Sequence, residues 1–169
     1  SILKESYMHE FETERLKMRL LQKEDKDFFV SLYTDPKIMR HIAEPLSKRK
    51  ALSMFESTQN CKEGSAYKQI TWSIWDKQTN EIIGLQSIRQ NTNIVKSGEF
   101  GLILIEEAQG RGFALEAFNE LSNYVFNILK LERILTHCSE NNTYAKKFVF
   151  KAGFQSIPSS NNFLSFEKR

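Results

Sequence analysis

The sequence lacks long apolar runs. Although 40% of its 169 residues are hydrophobic, no stretch approaches the roughly 18 apolar residues that a membrane span requires. Near the amino end, no apolar core of about 7 to 15 residues follows a basic stretch, so no secretory signal is visible. These two absences predict a cytoplasmic protein with no membrane partner.

Cysteine is scarce as well. Cys61 and Cys138 are the two cysteines of the sequence, and neither has a metal-type spacing with the three histidines. We therefore expect no metal site. This usage favours two free, buried thiols, with a disulfide between them as the alternative.

An excess of one charge sign is also absent. The sequence has 24 lysines and arginines against 21 acidic residues, and the net charge of +3 is spread along the chain. A nucleic-acid-binding surface requires a basic stripe or patch. The densest basic run, residues 47–50, is more simply the solvated start of a helix. We expect no direct binding of nucleic acid.

Internal repeats, linkers and low-complexity segments are missing too, and the length suits one domain over residues 1–169. Within it, alternating apolar residues indicate half-buried strands, and apolar residues three and four apart indicate amphipathic helices. These criteria predict a strand at 16–20, a helix at 23–35, a loop at 36–46, a helix capped by Ser47, strands near 70–74, 81–88 and 99–105, a helix from 113, a strand at 133–139, a helix ended by Gly153 and a strand at 163–168. The order is that of a mixed α/β domain.

Two glycines flank Arg111 between a predicted strand and a predicted helix. The N–H groups at the start of a helix are unpaired and carry partial positive charge, so they suit phosphate oxygens. Gly110 and Gly112 would let the backbone approach phosphates without a Cβ. The stretch is not a P-loop, which needs Gly-Lys and a hydroxyl, and Leu115 stands where a dinucleotide fingerprint needs a glycine. A plain strand-to-helix turn and, distantly, a nicotinamide-binding oxidoreductase are the alternatives.

The same stretch resembles the phosphate loop of the Gcn5-related N-acetyltransferases (GNAT), which is written Q/R-x-x-G-x-G/A. Gln109, Gly112 and Ala114 occupy its three defined places. The resemblance implies a GNAT fold, in which helices, about four in number, flank a central mixed, mostly antiparallel sheet of about six to seven strands.

A second family pattern lies downstream. It consists of Asn, two residues, a small residue, about seven residues and Gly-Phe, and Asn142, Ala145, Gly153 and Phe154 match it. The opening residues 13–29 resemble the branch that includes ribosomal-protein alanine N-acetyltransferases and bacterial spermidine acetyltransferases. The resemblance therefore covers nearly the full chain.

This resemblance implies an acyltransferase that uses acetyl-CoA as its cosubstrate. It would transfer acetyl directly to a primary amine of a small molecule or of a protein N-terminus, and a homodimer stays open as its assembly state. A backbone N–H near residues 103–105, at a strand bulge, would stabilise the thioester oxygen. The cofactor-binding residues implied in this way are Ile103, Leu104, Ile105, Gln109, Gly110, Arg111, Gly112, Phe113, Ala114 and Asn142. Arg111 has a solvated turn residue as its alternative, and Asn142 a helix cap.

Two residues are candidates for proton transfer. An amine with a pKa near 10 must lose a proton before it attacks, and Glu99 stands where many members of this branch carry a glutamate facing the acceptor cleft. The sequence departs from the family at the position of a common tyrosine, where it has Val149, and at an alternative serine, where it has Ala145. Tyr144 is the remaining candidate to protonate the thiolate. The departure leaves a catalytically weak or inactive CoA-binding module of the same fold as the alternative function.

The acceptor pocket of this fold falls here on residues 34–46 and 156–163. A polyamine needs carboxylates around it, and Asp35, Glu44 and Glu99 are candidates to supply them. The net charge of +3 favours an anionic or neutral partner or a peptide amino terminus. The sequence leaves both acceptor classes open.

Overall fold

A computed structural model of the chain describes residues 10–59, 69–159 and 163–169. Cys61 lies outside these ranges. The strands are β1 (Phe11–Glu12), β2 (Leu16–Leu20), β3 (Gln69–Asp76), β4 (Glu81–Gln90), β5 (Ser97–Leu104), β6 (Arg133–Ser139), β7 (Gln155–Ile157) and β8 (Phe163–Lys168). The helices are α1 (Lys26–Thr34), α2 (Pro36–Met39), α3 (Lys48–Gln59), α4 (Phe113–Asn127) and α5 (Thr143–Lys151), and 3-10 turns precede α1 at Lys23–Asp25 and α4 at Glu106–Ala108.

The described strands form one sheet in the order β1-β2-β3-β4-β5-β6-β8-β7. All neighbours are antiparallel except β5 and β6, which are parallel. The prediction of a mixed, mostly antiparallel sheet with flanking helices is confirmed, although there are eight strands and five helices in the described ranges. The two strands that the sequence did not predict, β1 and β7, have two and three residues, too few for a period of two to show.

The predicted loop after α1 contains the short helix α2. Asp35 precedes a proline and is therefore extended (φ −83°, ψ 116°), which ends α1. Pro36 then occupies the first position of α2, where the missing N–H costs nothing, and Asp35 Oδ1 accepts hydrogen bonds from the N–H groups of Lys37 and Ile38. The expectation of a structureless segment at 36–46 was wrong because the proline starts a new helix as well as stopping the old one.

Helices cover both faces of the sheet. Since successive strand residues point to opposite faces, Phe100 and Leu104 of β5 join the core under α4 and α5, whereas Ile103 joins the core formed with α1, α2 and α3. Val149 of α5 lies in the first core and Phe55 of α3 in the second. The two layers hold the sheet between them.

Helix ends follow the predicted chemistry. Ser47 Oγ accepts a hydrogen bond from Lys50 N at 3.2 Å and so caps α3. At the end of α5, Gly153 has a φ of +86°, and the N–H groups of Gly153 and Phe154 donate to the carbonyls of Phe150 and Val149. This is a Schellman ending, which glycine permits at little steric cost.

The sheet opens between β5 and β6. These strands pair at three positions, Ser97–Arg133, Gly98–Ile134 and Glu99–Leu135, although each continues well beyond them. Past the last pair, Thr136 Oγ1 donates to the Phe100 carbonyl at 3.2 Å. The two strands diverge from there and leave a wedge through the middle of the sheet.

In the described ranges, no helix has the length and apolar character needed to cross a membrane.

Candidate active site

A cavity of about 670 Å³ occupies the wedge. Residues 100–104 of β5 line one side of it, and residues 136–139 of β6 line the other. One end reaches Gln109, Asn142 and Tyr144 on the face of α4 and α5, and the other end reaches Tyr33 and α2. The wedge therefore joins the two faces of the sheet.

The turn into α4 lies at the first end of the cavity. Gly110 and Gly112 have φ values of +75° and +79°, a backbone region that glycine enters far more easily than other residues. No atom lies within 4 Å of a Cβ built on Gly110, so the turn is open on that side. Gly112 is the N-cap of α4, and the N–H groups of the first turn that follow it lack intrahelical partners.

Arg15, just before β2, forms hydrogen bonds to this turn and to the first turn of α4. Its Nη1 donates to the Arg111 carbonyl at 2.9 Å, and its Nε donates to Glu116 Oε1 at 2.7 Å. The Arg111 carbonyl and the Gly112 N–H belong to the same peptide group, and the C=O and N–H of a trans peptide point in opposite directions. The hydrogen bond from Arg15 therefore directs the N–H of Gly112 away from Arg15. Arg15 thus sets the direction of a backbone N–H in the predicted phosphate loop.

Glu116, in the first turn of α4, completes this anchor. Its carboxylate also accepts a hydrogen bond from the Thr13 hydroxyl, and one from Arg15 N at 2.9 Å. Burial acts to raise the pKa of Glu116, but the hydrogen bonds from Thr13 and Arg15 and the charge of Arg15 outweigh it and lower that pKa below its usual value. The carboxylate is therefore charged near neutral pH.

Phe113 and Ala114 differ from the other residues of the turn because their side chains are buried. The guanidinium carbons of Arg15 and Arg111 lie 4.3 Å and 4.5 Å from the centre of the Phe113 ring. Phe113 and Ala114 can therefore offer a ligand only their backbone N–H groups. Arg111 is exposed, and its carbonyl belongs to the anchor.

The end of β5 presents one main-chain edge to the wedge. In an antiparallel strand, N–H and C=O of one residue share an edge, and successive residues alternate. Ile105 N donates to Ile83 O at 2.9 Å, so Ile105 and, two residues earlier, Ile103 face β4. Leu104 faces the wedge, where Gln109 Nε2 donates to its carbonyl at 3.2 Å. Of the three amides predicted, that of Leu104 points into the cavity.

The bulge expected near residues 103–105 is not found in the pairing of β4 and β5, whose register runs without a shift from Gln90–Gly98 to Gly84–Leu104. The sheet has a register shift between Ile74 and Trp75 of β3 instead. The free edge at Leu104 arises because β6 diverges, so no bulge is needed to expose it.

Glu99 lies at the base of the wedge, on the face opposite Phe100. Its Oε2 is 2.5 Å from Arg89 Nη2, and its Oε1 is 3.4 Å from Asn91 Nδ2 and 3.9 Å from His137 Nε2. His137 lines the cavity and its Nδ1 is 2.8 Å from Ser165 Oγ, whereas Glu99 is not part of the lining. The carboxylate therefore lies behind the His137 ring, next to the cavity lining.

The start of α5 closes the first end of the cavity. Asn142 Oδ1 accepts from Ala145 N at 3.0 Å, which confirms the predicted helix cap and leaves the amide N–H groups for another partner. The Tyr144 hydroxyl accepts from Gly110 N at 2.9 Å and retains its own proton to donate. Tyr144 thus bridges α5 to the turn of the two glycines.

Comparison with known proteins assigns the family. The family model described as an acetyltransferase (GNAT) domain matches residues 15–155. The chain belongs to the GNAT family. An uncharacterized N-acetyltransferase, p20 of Bacillus licheniformis, is 30% identical over 146 residues, which is 85% of this chain and 80% of the relative.

Solved structures have the same fold. Spermidine N-acetyltransferase from Vibrio cholerae, solved with CoA and spermine, matches this GNAT chain with a TM-score of 0.76 and 24% identity, covering 92% of this chain and 94% of that one. The ribosomal-protein-S5-alanine acetyltransferase from Vibrio fischeri matches with a TM-score of 0.73 and 20% identity, covering 94% and 95%. The predicted family, fold and acyltransferase class are confirmed.

Val149, where the sequence departs from the GNAT pattern, is part of the core. Val149 is buried, and although it borders the cavity it also belongs to the core under α4. The phenol of Tyr144 brings a hydroxyl to the same end of the cavity from the first turn of α5.

Sequence reasoning missed three residues of this GNAT site. Arg15 and Glu116 are about a hundred positions apart, and His137 stands in a predicted strand, far along the chain from His9 and His41. The resemblance at residues 13–29 included Arg15 but gave it no role. In the part of the chain that the structure describes, no three His, Cys, Asp or Glu residues form a group able to hold a metal ion.

Proposed function

We propose that this GNAT acyltransferase transfers acetyl from acetyl-CoA directly to the nitrogen of a primary amine, on a small molecule or a protein N-terminus. The observation that carries the proposal is the wedge, which joins the glycine turn on one face to an open cavity on the other. A donor held at the turn and an acceptor entering from the far side would meet between β5 and β6.

The glycine turn fits a diphosphate. The N–H groups of Gly112, Phe113 and Ala114 lie at the start of a helix of 15 residues, where the partial positive charge favours anions. The open space beside Gly110 leaves room for phosphate oxygens, and the free amide of Asn142 would hold the pantetheine arm. The Vibrio cholerae relative is described in complex with CoA, which supports the same cosubstrate here.

Glu99 would take the proton of the amine, directly or through a water molecule that it holds. Its Oε1 lies 3.9 Å from Nε2 of His137, which lines the cavity, so the carboxylate is next to the lining at this point. The thioester of acetyl-CoA supplies the acyl carbon that the amine attacks. The Leu104 N–H would donate to the oxygen on which negative charge develops.

The thiolate leaving group needs little acid catalysis, because the pKa of a thiol lies closer to neutrality than that of an amine. Tyr144, whose hydroxyl accepts from Gly110 N and keeps its own proton, would donate the proton that it needs. Cys138 also lines the cavity, but burial raises the pKa of its thiol, despite the opposing charge of Lys146, so the thiol is protonated at neutral pH. A protonated thiol is a poor nucleophile, which favours direct transfer over a cysteine-bound acyl group.

The test is CoA release from acetyl-CoA in a panel of primary amines, with free-thiol detection and mass spectrometry of the acetylated product. We expect Glu99→Gln to lower kcat by about 10²-fold or more, the usual size of a general-base effect. The matched control is Glu132→Gln, which removes an exposed carboxylate paired with Lys96 and outside the cavity lining. Unchanged turnover in Glu99→Gln would reject Glu99 as the base, and binding of acetyl-CoA without turnover of any amine would favour a CoA-binding module.

A further inference from the structure

The end of the cavity that faces α2 is basic. Lys37 of α2, Arg40 at its C-cap and the following His41 all line it, and all three are exposed to solvent. Neither Lys37 nor Arg40 forms an ion pair with any carboxylate of the described residues. Arg40 Nε lies 3.3 Å from His41 Nε2 and can donate to it, and its other N–H groups have no described acceptor.

Carboxylates that might balance this charge are directed elsewhere. Asp35 Oδ1 accepts from the backbone of α2, Glu99 pairs with Arg89, and neither of them, nor Glu44, lines the cavity. The one carboxylate in the described lining is that of Glu106. It lies three positions before Gln109, at the end where the coenzyme is proposed to bind.

We propose that the acceptor is a primary amine that also carries a carboxylate, which Lys37 and Arg40 bind at the α2 end of the cavity. This inference rests on the proposed function and names its acceptor class. Lys37 and Arg40 already bring two positive charges to this end of the cavity, which we call the rim. A polyamine would add several more, and no carboxylate among the described lining residues at that end would offset them. The carboxylate of an amino acid, or of an acidic residue near a peptide amino terminus, has the matching charge.

The same rim would also help the chemistry. Nearby positive charge disfavours the protonated form of an amine and so lowers its pKa. A larger share of the bound acceptor would therefore be the free base that attacks the thioester. A guanidinium can hold a carboxylate through two parallel hydrogen bonds, so Arg40 would also fix its orientation.

The experiment compares acceptors that differ in one end group. 4-Aminobutanoate, butylamine and 1,4-diaminobutane carry a carboxylate, a methyl group and a second ammonium at similar length. Pentapeptides with Asp or Lys at positions two and three form a second series, which separates a free amino acid from a peptide as the source of the carboxylate. We expect kcat/KM for the anionic member of at least one series to exceed that for its cationic member by about tenfold at low ionic strength, and the ratio to shrink in 0.5 M salt.

Variants connect the preference to the rim. The double variant Lys37→Glu/Arg40→Glu should reverse the order and favour the cationic acceptors, while KM for acetyl-CoA stays within about twofold. Arg49→Glu in α3 is the control, because this exposed arginine does not line the cavity. It should keep the wild-type order.

The outcomes separate the inference from the proposed function. Turnover in which cationic acceptors are preferred in both series, or an order that the double variant leaves unchanged, would overturn the anionic acceptor and leave the acetyltransferase standing. If no amine of any charge releases CoA, the proposed function fails and this inference fails with it.

Discussion

At the scale of single residues, Arg15 links the strand layer to the proposed coenzyme site. It contacts Glu116, the Arg111 carbonyl and the Phe113 ring at once. A lysine has no fork of donors with which to reach both oxygens. Sites of this kind are found through contacts, because Arg15 and Arg111 are far apart in the sequence.

Arg15→Lys should therefore loosen the turn of the two glycines. We expect a loss of about 1 kcal/mol in the free energy of unfolding, a value reduced for the exposure of Arg15, and a roughly fivefold higher Kd for CoA. Urea unfolding and calorimetry measure the two effects. Arg133→Lys, which weakens the ion pair with Glu167 at the start of β6, serves as the control. The anchor has no functional role if both variants bind CoA equally.

Glu116 gives the anchor a dependence on pH. Its pKa is lower in the folded protein than the usual value of about 4.3 for the unfolded chain. The resulting stabilisation is fully present above the unfolded pKa and is lost as the pH falls through the folded pKa. Urea midpoints between pH 7 and pH 3 should therefore fall less steeply on the acid side in Glu116→Gln than in the wild type. Parallel acid limbs would contradict this prediction.

At the scale of elements, two glycines with positive φ values have different roles. Gly112 begins α4 at the proposed phosphate site, and Gly153 ends α5 away from it. Alanine at either position is strained by about 1–2 kcal/mol. A Cβ at Gly112 would approach Arg15 Nη2 to 3.4 Å, and one at Gly153 would approach Lys168 Nζ to 3.0 Å, at the end of a flexible side chain.

Gly112→Ala and Gly153→Ala should thus lower the melting temperature by comparable amounts, but Gly112→Ala alone should weaken CoA binding. Differential scanning fluorimetry and calorimetry separate the two effects. Equal loss of CoA affinity in both variants would show that general destabilisation, and not the shape of the turn, is the cause.

Element boundaries were predictable where local chemistry sets them. Ser47 caps α3, and Gly153 ends α5, as their residue types indicate. The helix α2 was missed because four residues show no periodicity, and Pro36 signals both a stop and a start. The supposed bulge near residues 103–105 followed from resemblance, whereas strand divergence exposes the Leu104 edge.

At the scale of the whole molecule, ligand binding should stabilise the fold that spans both faces of the sheet. Acetyl-CoA at about 100 times its Kd adds roughly 2.7 kcal/mol, which corresponds to a rise of about 5–10 °C in Tm for a chain of this size. NADH at the same concentration should leave Tm unchanged. Protection by NADH and not by CoA would restore the nicotinamide alternative.

The sequence by itself determined the family, most of the elements and the glycine turn, because each depends on residues that are close together in the sequence. Tertiary structure alone decided where β5 and β6 part, that Glu99 lies behind His137 and that Arg15 binds Glu116. It also decided that Lys37 and Arg40 line the cavity at an end where no described lining residue carries a carboxylate. The physical reason is that strand order and register bring together side chains from distant segments. The spacing of apolar residues along the chain does not indicate which distant segments will pair.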